Sequence, residues 1–599
     1  PPSSLDERVV AEVVQGAGRI SAYRAVLLAL GMAESGSLII SSPGSWENLK
    51  SLISPAWMDA YYYMDWQIPE TMPENWSDAG WFAGVLRPGE NASTTFTLTN
   101  LNDTYDMDVE LSAVEFEMID SFNLTATTGP VYPDDWAPDY TWGYNTTLTE
   151  DQIPEDAGLM VVYLNMSYED FEWYGPLWLY VGVWFDYNGD RVINKDEVWR
   201  VSFCTNNGTT QEVRVGPAGM SYFFYTDPVL GVTGIPVIYV RQPYSNQTVE
   251  FTVTVEFWKR AECEAITLEP STLTVPAGGS ANFTATVTVP EDAAMGAYEA
   301  QIIVNSTVTV EGTTYTTLTA IPVSAVVTLP IPKDALVYTV TPPDWDMLYD
   351  PYRVRGMFDW SWRYESGDWR VWAIEITDPT TVAAFVTCDW TGGYTDVDMF
   401  ALDPTHRMID ASMSPYWGGG MFSWSTRTWE TNDWVYMDTS PMGITAMTGV
   451  YTVLLHNVLF NGTVFPEELN CTVKLVKLAP RGTLDNPIYV YAKPGDNVTL
   501  TFTLSTGLNL TGVTGGAAAF GLSWPVYVGD VGALSSEEFN VTIAIPDDVD
   551  EGVYPAVVML NMDQMPEGQP PIFTYLTIVV DKTAPMVSIY APEDGSILR

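Results

Sequence analysis

Lys493-Pro494-Gly495-Asp496-Asn497-Val498-Thr499-Leu500-Thr501-Phe502-Thr503-Leu504 decides the fold class of this chain. Pro494-Gly495 punctuates the backbone as a turn, and the residues after it alternate hydroxyl-bearing and apolar side chains. A period of two sends successive side chains to opposite faces, so the segment reads as a strand with one wet and one buried face. The stretches Leu86–Thr99, launched by Pro88-Gly89, and Val275–Thr286, launched by Pro276-Ala277-Gly278-Gly279, follow the same design. A second repeat, Gly296-Ala297-Tyr298, Gly449-Val450-Tyr451 and Gly552-Val553-Tyr554, opens further apolar strands. Helical periodicity appears near the start, where Ile20, Tyr23, Val26, Leu27 and Leu30 share one face. The expected fold is all-β, a tandem string of β-sandwiches behind a short N-terminal helix.

These repeats resemble those of fibronectin-III and immunoglobulin-like sandwiches. Residues 331–480 resemble the jelly-roll-like prepeptidase-C-terminal β-domains of secreted proteases, on Trp372-Ala373-Ile374-Glu375-Ile376, Val382-Ala383-Ala384-Phe385-Val386, Thr395-Asp396-Val397-Asp398-Met399-Phe400 and Gly449–Leu455. Val13-Val14-Gln15-Gly16-Ala17-Gly18-Arg19-Ile20-Ser21-Ala22-Tyr23-Arg24-Ala25-Val26 resembles the close of a subtilisin-like catalytic domain. Asp581–Ser596 resembles the opening strand of a bacterial immunoglobulin-like domain. The expected units are therefore 1–34 (subtilase-like tail), 35–262 (a sandwich with a large insertion), 263–330, 331–480, 481–580 and an orphan strand at 581–599. Pro330-Ile331-Pro332 and Ala479-Pro480-Arg481-Gly482 read as linkers. A lone strand leaves backbone groups unpaired, so Met586, Val587, Ile589 and Tyr590 are expected to contact another domain or another molecule.

Fifteen of the 24 asparagines open an Asn-x-Ser/Thr tripeptide: Asn75, Asn91, Asn102, Asn123, Asn145, Asn165, Asn207, Asn246, Asn282, Asn305, Asn461, Asn470, Asn497, Asn509 and Asn540. About four or five would arise by chance, and such tripeptides accept N-linked glycans in exported proteins. An extracellular or cell-surface chain is expected. Asn91, Asn282 and Asn497 mark the strand entrances of the three Pro/Gly repeats, as if one glycan projected from each of three modules. Net charge is −51, from 76 acidic residues against 25 Lys and Arg. Such a field repels nucleic acid and anionic lipid. The sequence has no apolar run long enough to span a membrane.

A Ser-His-Asp triad needs an imidazole base. Only His406, in a turn, and His456, in a strand, are present, and neither neighbours a nucleophile motif. The chain is read as non-catalytic. Its sharpest local motif is Asp186-Tyr187-Asn188-Gly189-Asp190-Arg191-Val192-Ile193-Asn194-Lys195-Asp196-Glu197. It matches a 12-residue calcium loop, with Asp186, Asn188, Asp190, the Val192 carbonyl, Asn194 and Glu197 as oxygen ligands. Arg191 stands where glycine is the norm; the alternative is an acidic hairpin without metal. The acidic pairs Asp396/Asp398, Asp344/Asp346 and Asp547/Asp548 read as solvated loops. The four cysteines suggest two disulfides, Cys204–Cys263 and Cys388–Cys471, or else four buried thiols. Ten tryptophans fall between Trp345 and Trp434, a window free of glycosylation tripeptides until Asn461. They serve the core, or else sugar stacking or an interface, with the loop residues Trp417 and Trp424 as the foremost contact candidates. Together these features suggest a structural subunit of a glycosylated homopolymer, filament or surface layer, plausibly archaeal. The alternatives are an accessory region of an active secreted protease, and a carbohydrate-binding or adhesion module.

Overall fold

The computed structural model describes residues 38–41, 80–131, 142–193, 197–205, 209–229, 231–310, 312–340, 342, 350–354, 369–392, 395–405, 407–412, 431–439, 447–459, 466–480, 488–566 and 568–583. The segment expected to hold the N-terminal helix lies outside them. Among the described residues the architecture is β-sandwich throughout, interrupted by two short α-helices, Tyr168–Tyr174 and Pro217–Met220.

The first sandwich is assembled from two distant parts of the chain. Asn91–Asn100 pairs with Ser280–Thr288, setting Phe96 opposite Phe283. Their rings stack at 5.0 Å in a core shared with Trp81, Leu98, Val304 and Ile321. Residues 263–330, expected as a separate module, therefore complete the sandwich that Leu38–Ser41 and Trp81–Leu86 begin. The two Pro/Gly repeats at Asn91 and Asn282 are neighbouring strands of one unit, not entrances to two. A period-two pattern states which face of a strand is buried; it does not name the strand's partner.

Met107–Thr127 and Glu250–Glu262 are the strands that leave this sandwich. They stay paired from Glu262 opposite Val114 to Glu250 opposite Thr127. Between them hangs an inserted sandwich with its own core, including Leu164, Val181, Val240 and Phe257.

The junctions downstream are also crossed by backbone pairing. Thr313–Pro330 runs antiparallel to Gly296–Val310 and then, through Thr328–Pro330, parallel to Trp369–Ile376. Ile331 N donates to Glu375 O at 3.0 Å, and the Ile331 side chain is buried in the next core. Pro330-Ile331-Pro332 is thus strand and core at its first two positions, not a linker. Ala479-Pro480 likewise closes the strand Asn470–Pro480, which pairs with Asn497–Thr506. Arg87 of the first sandwich forks onto the buried carboxylate of Glu375, with Nε to Oε2 at 2.7 Å. That bidentate geometry is the strong form of an ion pair.

The sheet holding Thr381–Asp389 is buried on both sides. Ala383 and Phe385 enter the core of the last sandwich, while Ala384, Val386 and Cys388 enter the opposite one. This is why Val382-Ala383-Ala384-Phe385-Val386 shows no alternation: a strand buried on both faces reads as a continuous apolar run.

The Gly-x-Tyr repeat has one structural cause in all three places. Tyr298, Tyr451 and Tyr554 each donate their hydroxyl to the backbone carbonyl four residues earlier: Ala294 at 2.8 Å, Met447 at 2.8 Å and Asp550 at 2.9 Å. This is a tyrosine corner, which fixes the chain as it turns into a strand. Gly296 and Gly449 both take φ +143°, and a Cβ there would meet Pro351 and Pro404 respectively.

Two outcomes follow from this architecture. Residues 263–330 expressed alone should give the circular dichroism of an unfolded chain, whereas residues 38–330 should show a folded β spectrum. Tyr451→Phe removes one buried hydrogen bond and should cost about 1 kcal/mol, read as a lowered denaturant midpoint for its module; an unchanged midpoint would show that the corner contributes nothing.

Candidate metal centre

Trp178–Trp184 and Val198–Cys204 pair as a hairpin, with Trp184 opposite Val198, and the acidic motif is the loop between them. Phe185 N donates to Glu197 O at 2.8 Å, closing the loop at its base. Inside, the backbone winds around its own carboxylates. Asp190 N donates to Asn188 Oδ1 at 2.8 Å, Arg191 N to Asp186 Oδ2 at 3.2 Å, and Val192 N to Asp190 Oδ1 at 2.8 Å. These are Asx-type turns, the local chemistry that Asp and Asn prefer. Arg191 adopts φ +60°, so the arginine takes the left-handed turn that glycine would take without strain.

The winding gathers three carboxylates. One oxygen each from Asp186, Asp190 and Glu197 lies within 4.8 Å of the others. Glu197 is buried and is held from two sides, by Asn188 N at 3.2 Å and Trp184 Nε1 at 3.4 Å. Asp186 Oδ1 is shielded from solvent and accepts no hydrogen bond. Gathering like charges and leaving a buried carboxylate oxygen unsatisfied is costly unless a cation completes the set. The donors are hard oxygens, the type that suits calcium. Asn188 is directed to Asp190, donating Nδ2 to Oδ2 at 3.0 Å. Asn194 lies outside the described residues.

The other expected sites fare differently. All four thiols are free, so neither expected disulfide is present. Cys204 lies in the core of the inserted sandwich and Cys263 in that of the first, so these two were never neighbours. Cys388 and Cys471 do sit directly opposite on adjacent strands and are fully buried, unjoined. Burial pushes the Cys263 thiol up to about 11 and also raises those of Cys388 and Cys471. Such thiols are poor nucleophiles.

His456 is buried and stacks on Trp369 at 4.0 Å, a packing role. His406 lies outside the described residues. Of the crowded tryptophans, Trp372 and Trp390 are buried and Trp369 and Trp434 half-buried. Trp417 and Trp424 lie outside the described residues, as do Met586, Val587, Ile589 and Tyr590. Asp547 and Asp548 are exposed in a turn.

Twelve of the glycosylation tripeptides fall on described residues; Asn75, Asn207 and Asn461 do not. Asn91, Asn123, Asn145, Asn246, Asn282, Asn497, Asn509 and Asn540 are exposed, and Asn102, Asn165, Asn305 and Asn470 are half-buried. Asn123 and Asn540 accept hydroxyl protons from Thr254 and Thr501 on their Oδ1 atoms, at 2.7 and 2.8 Å. That arrangement turns the acceptor oxygen toward the sheet and leaves Nδ2, the atom a glycan joins, on the other side.

No family model and no curated protein matches the chain. Among solved structures, it is similar to a CARDB domain from Pyrococcus furiosus, at 11% identity over 17% of this chain and 94% of that one, with a TM-score of 0.14. Red sea bream transglutaminase matches at 11% identity, 36% and 29% coverage and a TM-score of 0.16. A β-glucuronidase from Parabacteroides merdae matches at 10% identity, 38% and 28% coverage and a TM-score of 0.14. At such scores these likenesses carry no functional argument.

Maleimide labelling checks the cysteine geometry. Folded protein should label slowly at all four positions. Protein unfolded without reductant should take label at Cys204 and Cys263 in every molecule; a Cys204–Cys263 cross-linked peptide in the digest would overturn the separation of the two cores.

Proposed function

We propose that this chain is a non-catalytic, glycosylated β-sandwich region of an exported protein and serves as a structural subunit of an extracellular assembly. The observation that carries the reading is the continuity of strands across module junctions. Met107–Thr127, Glu250–Glu262, Thr313–Pro330 and Asn470–Pro480 each belong to two packing units. A binding protein that closes on a ligand needs hinges, whereas backbone pairing through each junction suits a load-bearing spacer. Full exposure of eight of the twelve described glycosylation asparagines supports an exported, sugar-coated surface. Among the described residues no helix is long and apolar enough to cross a membrane.

Calcium has a structural place in this reading. Asp186, Asp190 and Glu197 would hold it, with Asn188 and the Val192 carbonyl beside them. The ion would supply the positive charge that their gathering calls for and would lock a long surface hairpin against fraying and proteolysis.

Electron micrographs of the native surface material test the reading: ordered polymer is expected, and uniformly monomeric particles would overturn it. Calcium should raise the thermal midpoint of the inserted sandwich, by the equivalent of about 2.7 kcal/mol at 100 times its dissociation constant. Asp186→Asn should abolish that rise, yet leave the chelator-treated protein as stable or more so, because it removes a like charge from the cluster. Arg191→Gly relieves the left-handed arginine and should raise the stability of the inserted sandwich by roughly 1 kcal/mol with or without calcium.

A further inference from the structure

The last sandwich has two outer faces of opposite character. One belongs to Asn497–Thr506 and Ser535–Ala544. It is a hydroxyl and amide ladder: Thr499 meets Thr542 at 2.9 Å and Ser505 meets Ser536 at 2.7 Å, with Asn497 and Asn540 beside them. The other belongs to the sheet formed by Ile488–Ala492, Ile572–Val580, Gly552–Asn561, Leu510–Ala519 and Leu522–Val531. Those five strands contain a single charged residue, Asp530, and no glycosylation tripeptide begins within them. Asp530 sits past a bulge at one end and accepts from Gly512 N at 2.9 Å.

The inward side chains of this sheet, such as Val558, Leu576 and Ile578, fill the core. By the alternation of a strand the outward set is Tyr491, Val579 and Val553 in one row and Tyr575, Val557 and Ala518 in another. Tyr491 is 75% exposed, Val553 67% and Tyr489 57%. A sheet normally alternates apolar-in with polar-out when its outer face meets water. Here the outer face is largely apolar too, and its polar positions, Thr577, Thr514, Asn561 and Ser523, are uncharged, on a chain of net charge −51.

We infer that this face docks on the same face of a second copy of the chain. Two copies this acidic repel when charged surfaces meet, and the neutral face lets them approach without setting like charges together. A two-fold contact uses one patch twice, so an uncharged flat face is complementary to itself. Sheets pack face to face at about 10 Å in this way inside every sandwich. Five strands spaced about 4.8 Å apart and up to about 30 Å long offer roughly 500 Å² per copy, so a pair buries the ~1,000 Å² that a specific interface needs. Glycans do not obstruct it. Asn497 and Asn540 lie on the opposite sheet, and Asn509 precedes the Leu510 strand at the Asp530 end, away from Tyr491 and Val553.

The inference deepens the assembly reading and rests on it, but its test is separate from micrographs of native material. The glycosylated chain is purified and its self-association followed by sedimentation velocity from about 1 to 100 μM, a range set by ordinary interface affinities. Wild type should show a concentration-dependent dimer. Val553→Glu, at an exposed position where folding is not at stake, should weaken it about 100-fold or more, because each dimer would carry the charge twice. Val553→Cys treated with a short bis-maleimide should cross-link to a dimer, whereas Thr542→Cys on the opposite sheet should not. A dimer indifferent to Val553→Glu, or one that cross-links through Thr542→Cys alone, would overturn this face while leaving the assembly reading standing. A chain that stays monomeric at 100 μM, or a Val553→Glu variant that loses thermal stability without any change in association, would also overturn it, the latter by showing that the face is covered within one chain.

Discussion

Asn91–Asn100 against Ser280–Thr288 is the pairing on which the rest of the molecule depends. It joins segments about 190 positions apart, as in the Ser93–Thr286 hydroxyl contact with a separation of 193. Closing a loop of that length costs entropy, though the cost grows only slowly with length. The Phe96–Phe283 stack and the surrounding apolar core offset it. Once the loop is closed, Met107–Thr127 and Glu250–Glu262 are brought side by side, and the inserted sandwich has two rigid stems to hang from. The acidic hairpin belongs to that insert. Its geometry is therefore set by a sheet and not by a flexible loop.

The same logic governs the second half. Thr313–Pro330 serves the first sandwich along most of its length and hands its last residues to the sheet of Trp369–Ile376. Arg87 and Glu375 bind the two units again from the side. The Thr381–Asp389 sheet is then shared as a wall between two cores. Modules joined in this way cannot rotate about a single bond. Pairs of Thr, Ser and Asn hydroxyls and amides satisfy one another across strands on several outer faces, as Ser93 does with Thr286 and Thr499 with Thr542. One sheet face in the last sandwich departs from that scheme.

Much of this was legible in the residues themselves. The Pro494-Gly495 turn and the Thr-apolar alternation after it announced strands, and the strands are there. The spacing of Asp186, Asn188, Asp190 and Glu197 marked a loop whose carboxylates the fold does bring together. The Gly-x-Tyr repeat was visible as a repeat, but its cause, a hydroxyl bonded four residues back, appears only with the backbone in place. The cysteines misled. Cys204 and Cys263 fall within a plausible span of sequence, yet the insertion puts a whole core between them. The proline linkers misled too, since Pro330 and Pro480 close strands whose pairing runs up to them.

What the sequence determined by itself is local: which segments are strands, which side of each is apolar, which asparagines can carry sugar, and which oxygens could meet a cation. These follow from neighbours along the chain, through side-chain alternation and turn chemistry. The tertiary structure alone decided which strand lies beside which, that residues 263–330 close the sandwich opened by Leu38–Ser41 and Trp81–Leu86, and that one outer sheet face is bare of charge. A strand's pattern states that it needs a partner and on which side. Many strands of this chain carry nearly the same pattern, so the choice among them is made by the packing of Phe96 on Phe283 and contacts like it, which only the folded chain brings together.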